Sequence, residues 1–200
     1  MKNILEKIES KFENQKPYAF VIEATKVNLE LPSFLRKLCK SAYIAHLQGN
    51  IEFCEEILSL IIDIPFAGNY DIWTWVESSI GLKMFISLEN NQRDVYDRLK
   101  KIIYDQFEYT GLPESTRRIN LKVFKRRMTG SSLQTIREKI NKYNHEKDFQ
   151  FEFMYLIGYY SDLILIYAIN EGNVEEHIKN ELDFTKNRIL EIINHYQSNP

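Results

Sequence analysis

Two side chains in the last helical segment have types and a spacing that could serve chemistry together. Arg188 and His195 are seven residues apart, which is about two turns of an α-helix and places both on one face. That face would combine a permanent guanidinium cation with an imidazole that titrates near neutral pH and can move a proton. The simpler interpretation is two solvent-facing residues on the last helix, and the sequence favours it.

The spacing of Arg188 and His195 resembles the Arg-x(4 to 6)-His motif of helical ribonucleases of the HEPN class. The resemblance implies that the arginine polarises the phosphate and that the histidine moves the 2′-hydroxyl proton. The sequence departs from that family at Ile189, where the family usually has a polar residue. We expect the protein not to be an enzyme and keep RNA cleavage as the alternative function.

The remaining groups that could serve catalysis or metal binding are scattered. The other three histidines stand singly, and the chain has no HExxH, GxSxG or phosphate-loop motif. Cys39 and Cys54 lie at unequal distances from Gly49, where a helix hairpin is expected to turn, so a disulfide is not expected. Two thiols in 200 residues suit a reducing compartment. We predict no metal and no cofactor, and we expect a cytoplasmic protein.

Basic side chains concentrate between Glu114 and Lys142, where nine cations and two acids give a local charge of +7. The whole chain has a net charge of -2, so the remainder carries -9. A helix from Glu114 to Met128 would present one basic face, the basic stripe, formed by Arg118, Lys122, Lys125 and Arg126. Phe124 falls on the opposite apolar face, so aromatic residues for base stacking are missing. The stripe is either a solvated helix face or a docking site for an acidic partner; nucleic-acid binding through residues 117–142 is an alternative.

A second candidate surface lies around two tryptophans. Trp73 shares a helix face with Ile80 and is predicted to be core. Trp75 points about 200° away from Trp73 on a helix. It either packs between hairpins, which the sequence favours, or lines a concave surface with Tyr70 and Glu77. Exposed Trp and Tyr residues often anchor protein interfaces.

The elements that position these residues are predicted to be helices throughout. Apolar residues recur with a period of 3.6, and few Gly or Pro interrupt them, which predicts an all-α protein of about nine or ten helices in a single domain, residues 1–200. Residues 1–32 would form N-terminal helices, and residues 33–197 would form four helix hairpins at a 41-residue spacing. Thirteen of sixteen equivalent positions are apolar, which favours a repeat. Those positions are Ile51, Cys54, Leu58, Ile61, Gln92, Val95, Leu99, Ile102, Leu133, Ile136, Ile140, Tyr143, Val174, His177, Glu181 and Phe184. The last copy fits better when shifted by one residue, onto Ile178 and Leu182.

The hairpin layout resembles the tetratricopeptide (TPR) class of helical repeats, most clearly from Ala42 to Leu58 around the Gly49 turn. The resemblance implies a TPR-like α-solenoid, and a compact helical bundle is the other architecture. The 41-residue unit is longer than the usual 34, and the Trp, Gly, Tyr and Pro signature of that class is not matched. The resemblance therefore carries no functional residue.

The segment from Phe149 to Ile169 is apolar enough to consider a membrane span. A span needs about 20 apolar residues, and Glu152 and Asp162 interrupt this one. The pattern instead predicts the most buried helix of the domain, with no membrane contact.

Residues 64–77, IPFAGNYDIWTWVE, resemble a segment of an uncharacterised bacterial family of helical proteins that are sometimes encoded beside toxins. The resemblance implies an immunity or antitoxin type of protein. The repeat, the uneven charge and the missing catalytic residues predict a non-enzymatic module whose partner is another protein. The resemblance to this family makes the prediction more specific: the partner would be a toxin.

Overall fold

The computed structural model describes residues 31–64, 70–108 and 149–198, which form six helices and no strand. The predicted all-α class is thus confirmed. Residues 1–30, the predicted repeat positions from Leu133 to Tyr143 and the whole basic stripe lie outside the described residues. The helices are α1 (Leu31–Leu47), α2 (Ile51–Ser59), α3 (Tyr70–Glu89), α4 (Arg93–Glu108), α5 (Phe149–Ile169) and α6 (Glu176–Ser198).

The helices are joined in pairs by turns of one local structure. The second residue past α1, α3 and α5 has a left-handed backbone, with φ of 76° at Gly49, 54° at Asn91 and 55° at Glu171. After each of them, the next amide donates to the carbonyl five residues back, at 2.9, 2.8 and 2.9 Å. This is the Schellman ending of a helix, which uses carbonyls that the helix leaves unbonded. α1 packs on α2, α3 on α4, and α5 on α6 as hairpins.

The first helices of the first two hairpins run in the same direction. Tyr43 of α1 donates a hydrogen bond of 2.9 Å to the Ser78 carbonyl oxygen of α3. Three residues further along α1, the His46 ring contacts the Phe85 ring of α3, with centroids 5.7 Å apart. Both pairs follow the same chain order, so α1 and α3 are parallel.

Two helices lie at the centre of the fold. α3 packs on α1, α4 and α5, and α5 packs on α3, α6 and a short stretch of α1. Gly81 lets α3 approach α5 closely, because a Cβ placed there would lie 2.9 Å from Leu165 Cδ1. As predicted for residues 149–169, nearly every described side chain of α5 from Leu156 onward is buried.

The buried positions follow the predicted pattern with two corrections. In α2, Cys54 and Leu58 are buried, but Ile51 is 38% exposed because it stands at the first position of the helix. In α6, the shifted register is the correct one, since Ile178 and Leu182 are buried. The unshifted positions His177 and Phe184 are exposed, whereas Glu181 is buried and accepts a hydrogen bond from Tyr159.

Across the described stretches, none of the helices is both long and apolar enough to cross a membrane. The described helices fit a bundle or an array of hairpins, and TPR-like stacking stays a prediction.

Candidate binding surface

Trp75 lies between the first two hairpins. Its ring packs against the core and remains partly exposed, and the Lys40 ammonium of α1 lies 5.9 Å from the ring centroid. The distance is that of a cation–π contact. Lys40 is itself only 7% exposed, so its aliphatic stem is packed between the helices. Trp75 therefore contributes to the contact between α1 and α3, and its exposed part is what a partner could reach.

Of the two residues predicted to accompany Trp75, Glu77 does not form an open surface with it. Glu77 is 3% exposed, so its carboxylate faces the interior of the fold. Burial follows from the position of α3, which is covered on most sides by other helices. Tyr70 is the first residue of α3, and its side chain lies outside the described residues, as does that of Trp73. Val76 and Ile80 are fully buried, as expected for the core face of this helix.

Lys40 was missed by the sequence reasoning. It follows Leu38 and Cys39, both buried, and it occupies a position where a lysine usually reaches solvent. The one sequence feature that indicates burial of Lys40 is its position inside a largely apolar stretch that runs to Ala45. A lysine in such a stretch needs a partner for its charge, and the nearby tryptophan ring supplies an electron-rich face.

Arg188 and His195 both lie on α6, so they share a helix as their spacing predicted. The Arg188 Nη1 atom is 3.0 Å from Glu191 Oε2, within the same helix. A carboxylate is thus placed between the two candidate catalytic residues, and it neutralises the cation that would polarise a phosphate. His195 is exposed. Ribonuclease activity through this pair stays a prediction.

The strongest charged cluster joins the second hairpin to the turn after α5. Arg93 Nη1 and Lys100 Nζ, both on α4, lie 2.8 and 2.7 Å from the two carboxylate oxygens of Glu171. Hydrogen bonds from Arg93, which has the larger effect, and from Lys100 lower the pKa of Glu171 to about 2. Both cations also stand over the ring of Tyr96, at 5.0 and 5.5 Å, and the Tyr96 hydroxyl donates to the Ala168 carbonyl at 2.8 Å. The cluster places two cations near the C-terminal end of α5, where the helix dipole favours them. It therefore stabilises the packing of α4 against the end of α5.

The remaining polar groups offer no reaction centre within the described stretches. No group of three His, Cys, Asp or Glu residues there could hold a metal ion. Cys39 and Cys54 are free and buried, and burial raises the pKa of Cys54 to about 12. A thiol with that pKa stays protonated near neutral pH and is a poor nucleophile.

The described residues define a class of all-helical proteins in which helix hairpins pack against one another. The chain belongs to a family of unknown function, DUF6707, whose model matches residues 1–195. No curated protein and no solved structure matches it.

Proposed function

We propose that the protein is a non-enzymatic protein-binding module. The observation that carries the proposal is the uneven distribution of charge: residues 114–142 carry +7, and the rest of the chain carries -9. A separation of this size steers and orients a charged partner, and it contributes to the rate and specificity of association more than to fold stability. The basic stripe, with Arg118, Lys122, Lys125 and Arg126, would contact an acidic surface of that partner.

A protein fits this surface better than a nucleic acid does. Nucleic-acid binders usually combine basic side chains with exposed aromatic rings on which bases stack. The predicted helix that carries the basic stripe turns its aromatic residue, Phe124, to the apolar face. The net charge of -2 would also repel a long polyanion from the rest of the surface.

Trp75 would be the second part of the binding surface. Tryptophan is enriched among residues whose truncation costs most binding energy, particularly where the ring is rigidly supported. The Trp75 ring is supported from one side by the core and from another by Lys40. Its exposed part is therefore already ordered before a partner arrives, and little conformational entropy is lost on binding.

The sharper version of the proposal is an immunity or antitoxin type of protein, which binds a toxin and blocks it. Its support is the resemblance of residues 64–77 to a segment of helical proteins sometimes encoded beside toxins. The partner would then be a toxin with an acidic surface patch, because the basic stripe must face opposite charge.

The test is copurification of the tagged chain from native cell extract, followed by measurement of the partner's affinity for defined variants. We expect one protein at equal stoichiometry, with binding weakened at least tenfold by the double charge reversal Lys122→Glu/Arg126→Glu. The matched control is Arg98→Glu/Lys101→Glu, which makes the same change of charge on exposed positions of α4 and should leave affinity unchanged. A chain that repeatedly elutes alone, or equal effects of both double reversals, would contradict the proposal.

A nuclease assay separates the proposal from RNA cleavage. Purified protein is incubated with total RNA and EDTA, beside His195→Ala. We expect intact RNA with both proteins. Cleavage by the parent that His195→Ala abolishes would instead establish the ribonuclease and overturn the non-enzymatic assignment.

A further inference from the structure

His46 lies in the last turn of α1, where three helices meet. Its ring stands edge-on to Phe85 of α3, at an interplanar angle of 86°. The Phe85 ring in turn contacts Tyr167 of α5, with centroids 5.4 Å apart. The His46 Nδ1 atom is buried and has no hydrogen-bond partner among the described groups. The imidazole is thus held by aromatic packing, and one of its nitrogens is shielded from water.

Among the described residues, the charged and titratable groups around His46 and its neighbour Lys186 come from three helices. The Lys186 ammonium approaches from α6 and, after burial, is the second cause that lowers the pKa of His46. Glu89 ends α3, and burial raises its pKa while Lys186 opposes that shift. The Cys54 thiol of α2 lies against the His46 backbone and, with a pKa of about 12, stays neutral. The C-terminal end of α1 favours a cation and would raise the pKa of His46. Burial and the charge of Lys186 outweigh that effect, so the pKa of His46 is lowered.

We propose that His46 is a proton-sensitive latch, which holds the end of α1 and the α1–α2 turn on α3 when neutral and releases them when protonated. A protonated imidazole has two N–H donors, and the donor at Nδ1 would be buried here without an acceptor. It would also add a second positive charge near Lys186. Opening of the α1–α2 turn away from α3 exposes the ring fully to water and relieves both costs.

The direction and the upper limit of the effect follow from linkage. A histidine whose pKa is lower in the closed form stabilises that form at neutral pH, and the stabilisation is lost as the pH falls below about 6.5, the value for exposed histidine. At pH 5 an exposed histidine is protonated about thirty to one. Acidification can therefore favour opening by at most about thirtyfold through this one group.

Hydrogen exchange at the α1–α2 turn measures the opening directly in the full chain. The Asn50 amide donates to the Ala45 carbonyl at 2.9 Å, so it exchanges only when the turn opens. Relative to the intrinsic exchange rate, we expect its protection to fall by about three- to thirtyfold between pH 7.5 and 5. In His46→Phe, which keeps an aromatic ring on Phe85 but cannot be protonated, the loss should be below twofold.

Two matched variants and one titration test the latch against other causes. His177→Gln removes an exposed histidine that is 3.1 Å from Glu175, and Glu89→Gln removes the carboxyl group that interacts with Lys186. Both variants should keep the acid-induced loss of protection at the Asn50 amide. Persistence of the loss in His46→Phe, or its disappearance in either control, would overturn the proposal. If His46→Phe does not fold, His46→Gln replaces it. A pKa of 6.5 or above for His46, measured by NMR on the unsubstituted protein, would overturn the latch without any variant.

Discussion

Replacing Gly81 by alanine tests the close contact between the two central helices. A Cβ at this position would lie 2.9 Å from Leu165 Cδ1, 3.3 Å from its Cβ and 3.4 Å from its Cα. Carbon atoms in packed interiors prefer separations of about 3.5 to 4.0 Å. The Cδ1 methyl group of Leu165 can rotate away from the new Cβ, but the Cα and Cβ atoms of Leu165 move only when α5 moves. We therefore expect α3 and α5 to shift apart by a few tenths of an ångström.

The size of the effect follows from two opposed terms. Alanine in the interior of a helix is about 1 kcal/mol more favourable than glycine. Inserting a methyl group into a packed contact costs about 1–3 kcal/mol. The free energy of unfolding should thus fall by up to about 2 kcal/mol in Gly81→Ala. The matched control is Gly158→Ala on α5, where nothing lies within 4 Å of the added Cβ and the protein should become about 0.5–1 kcal/mol more stable.

Urea unfolding of the parent and both variants measures the difference, which should be about 0.5–3 kcal/mol between the two Gly→Ala changes. The double variant Gly81→Ala/Leu165→Ala adds a mutant cycle. Leu165→Ala removes the side chain that the new methyl group meets, so part of the cost should be recovered as a coupling energy. Equal stabilisation by Gly81→Ala and Gly158→Ala would refute the contact as described.

Two further predictions concern single hydrogen bonds. Tyr96→Phe removes the donor to the buried Ala168 carbonyl and should lower the unfolding free energy by about 1–2 kcal/mol. The control Tyr104→Phe, on the exposed face of α4, should change it by less than about 0.5 kcal/mol. Equal effects would contradict a stabilising hydrogen bond between α4 and α5. Asn50→Ala removes the cap of α2, whose side chain accepts from the Phe53 amide, and should cost about 1 kcal/mol, while Asn50→Gly should cost only a few tenths; thermal or urea unfolding checks both.

Local sequence signals predicted the end of α1 well. The turn at Gly49 was expected from residue type, and Gly49 is the left-handed residue that closes this helix. Such endings depend on a few adjacent residues, so a short window contains all the information. After α5 the left-handed conformation extends over Glu171 and Gly172. A glutamate at positive φ is uncommon, and sequence alone gave no reason to expect it there.

Contacts between distant parts of the chain could not be predicted in the same way. The pairs Arg93–Glu171 and Lys100–Glu171 are separated by 78 and 71 residues. Charged residues are frequent enough on helix surfaces that no spacing rule selects one partner among many. The burial of Lys40 depends likewise on where α3 places Trp75. These interactions become visible only once the hairpins have a fixed arrangement.

The uncertainty about Trp75 has a physical origin in the composition of α3. Helical periodicity assigns a buried face only when one side of the helix is polar. α3 lacks a continuous polar side because several other helices pack around it, and even Glu77 is buried. A residue about 200° from the predicted core face of such a helix therefore also packs against another helix, as Trp75 does while part of its ring stays exposed. The amphipathic helices α4 and α6 behave differently, since each has one continuous exposed face. Within the described stretches, a search for partner-binding residues is accordingly best directed to the exposed edge of Trp75 and to the exposed face of α6, where substitutions leave the central packing of α3 and α5 unchanged.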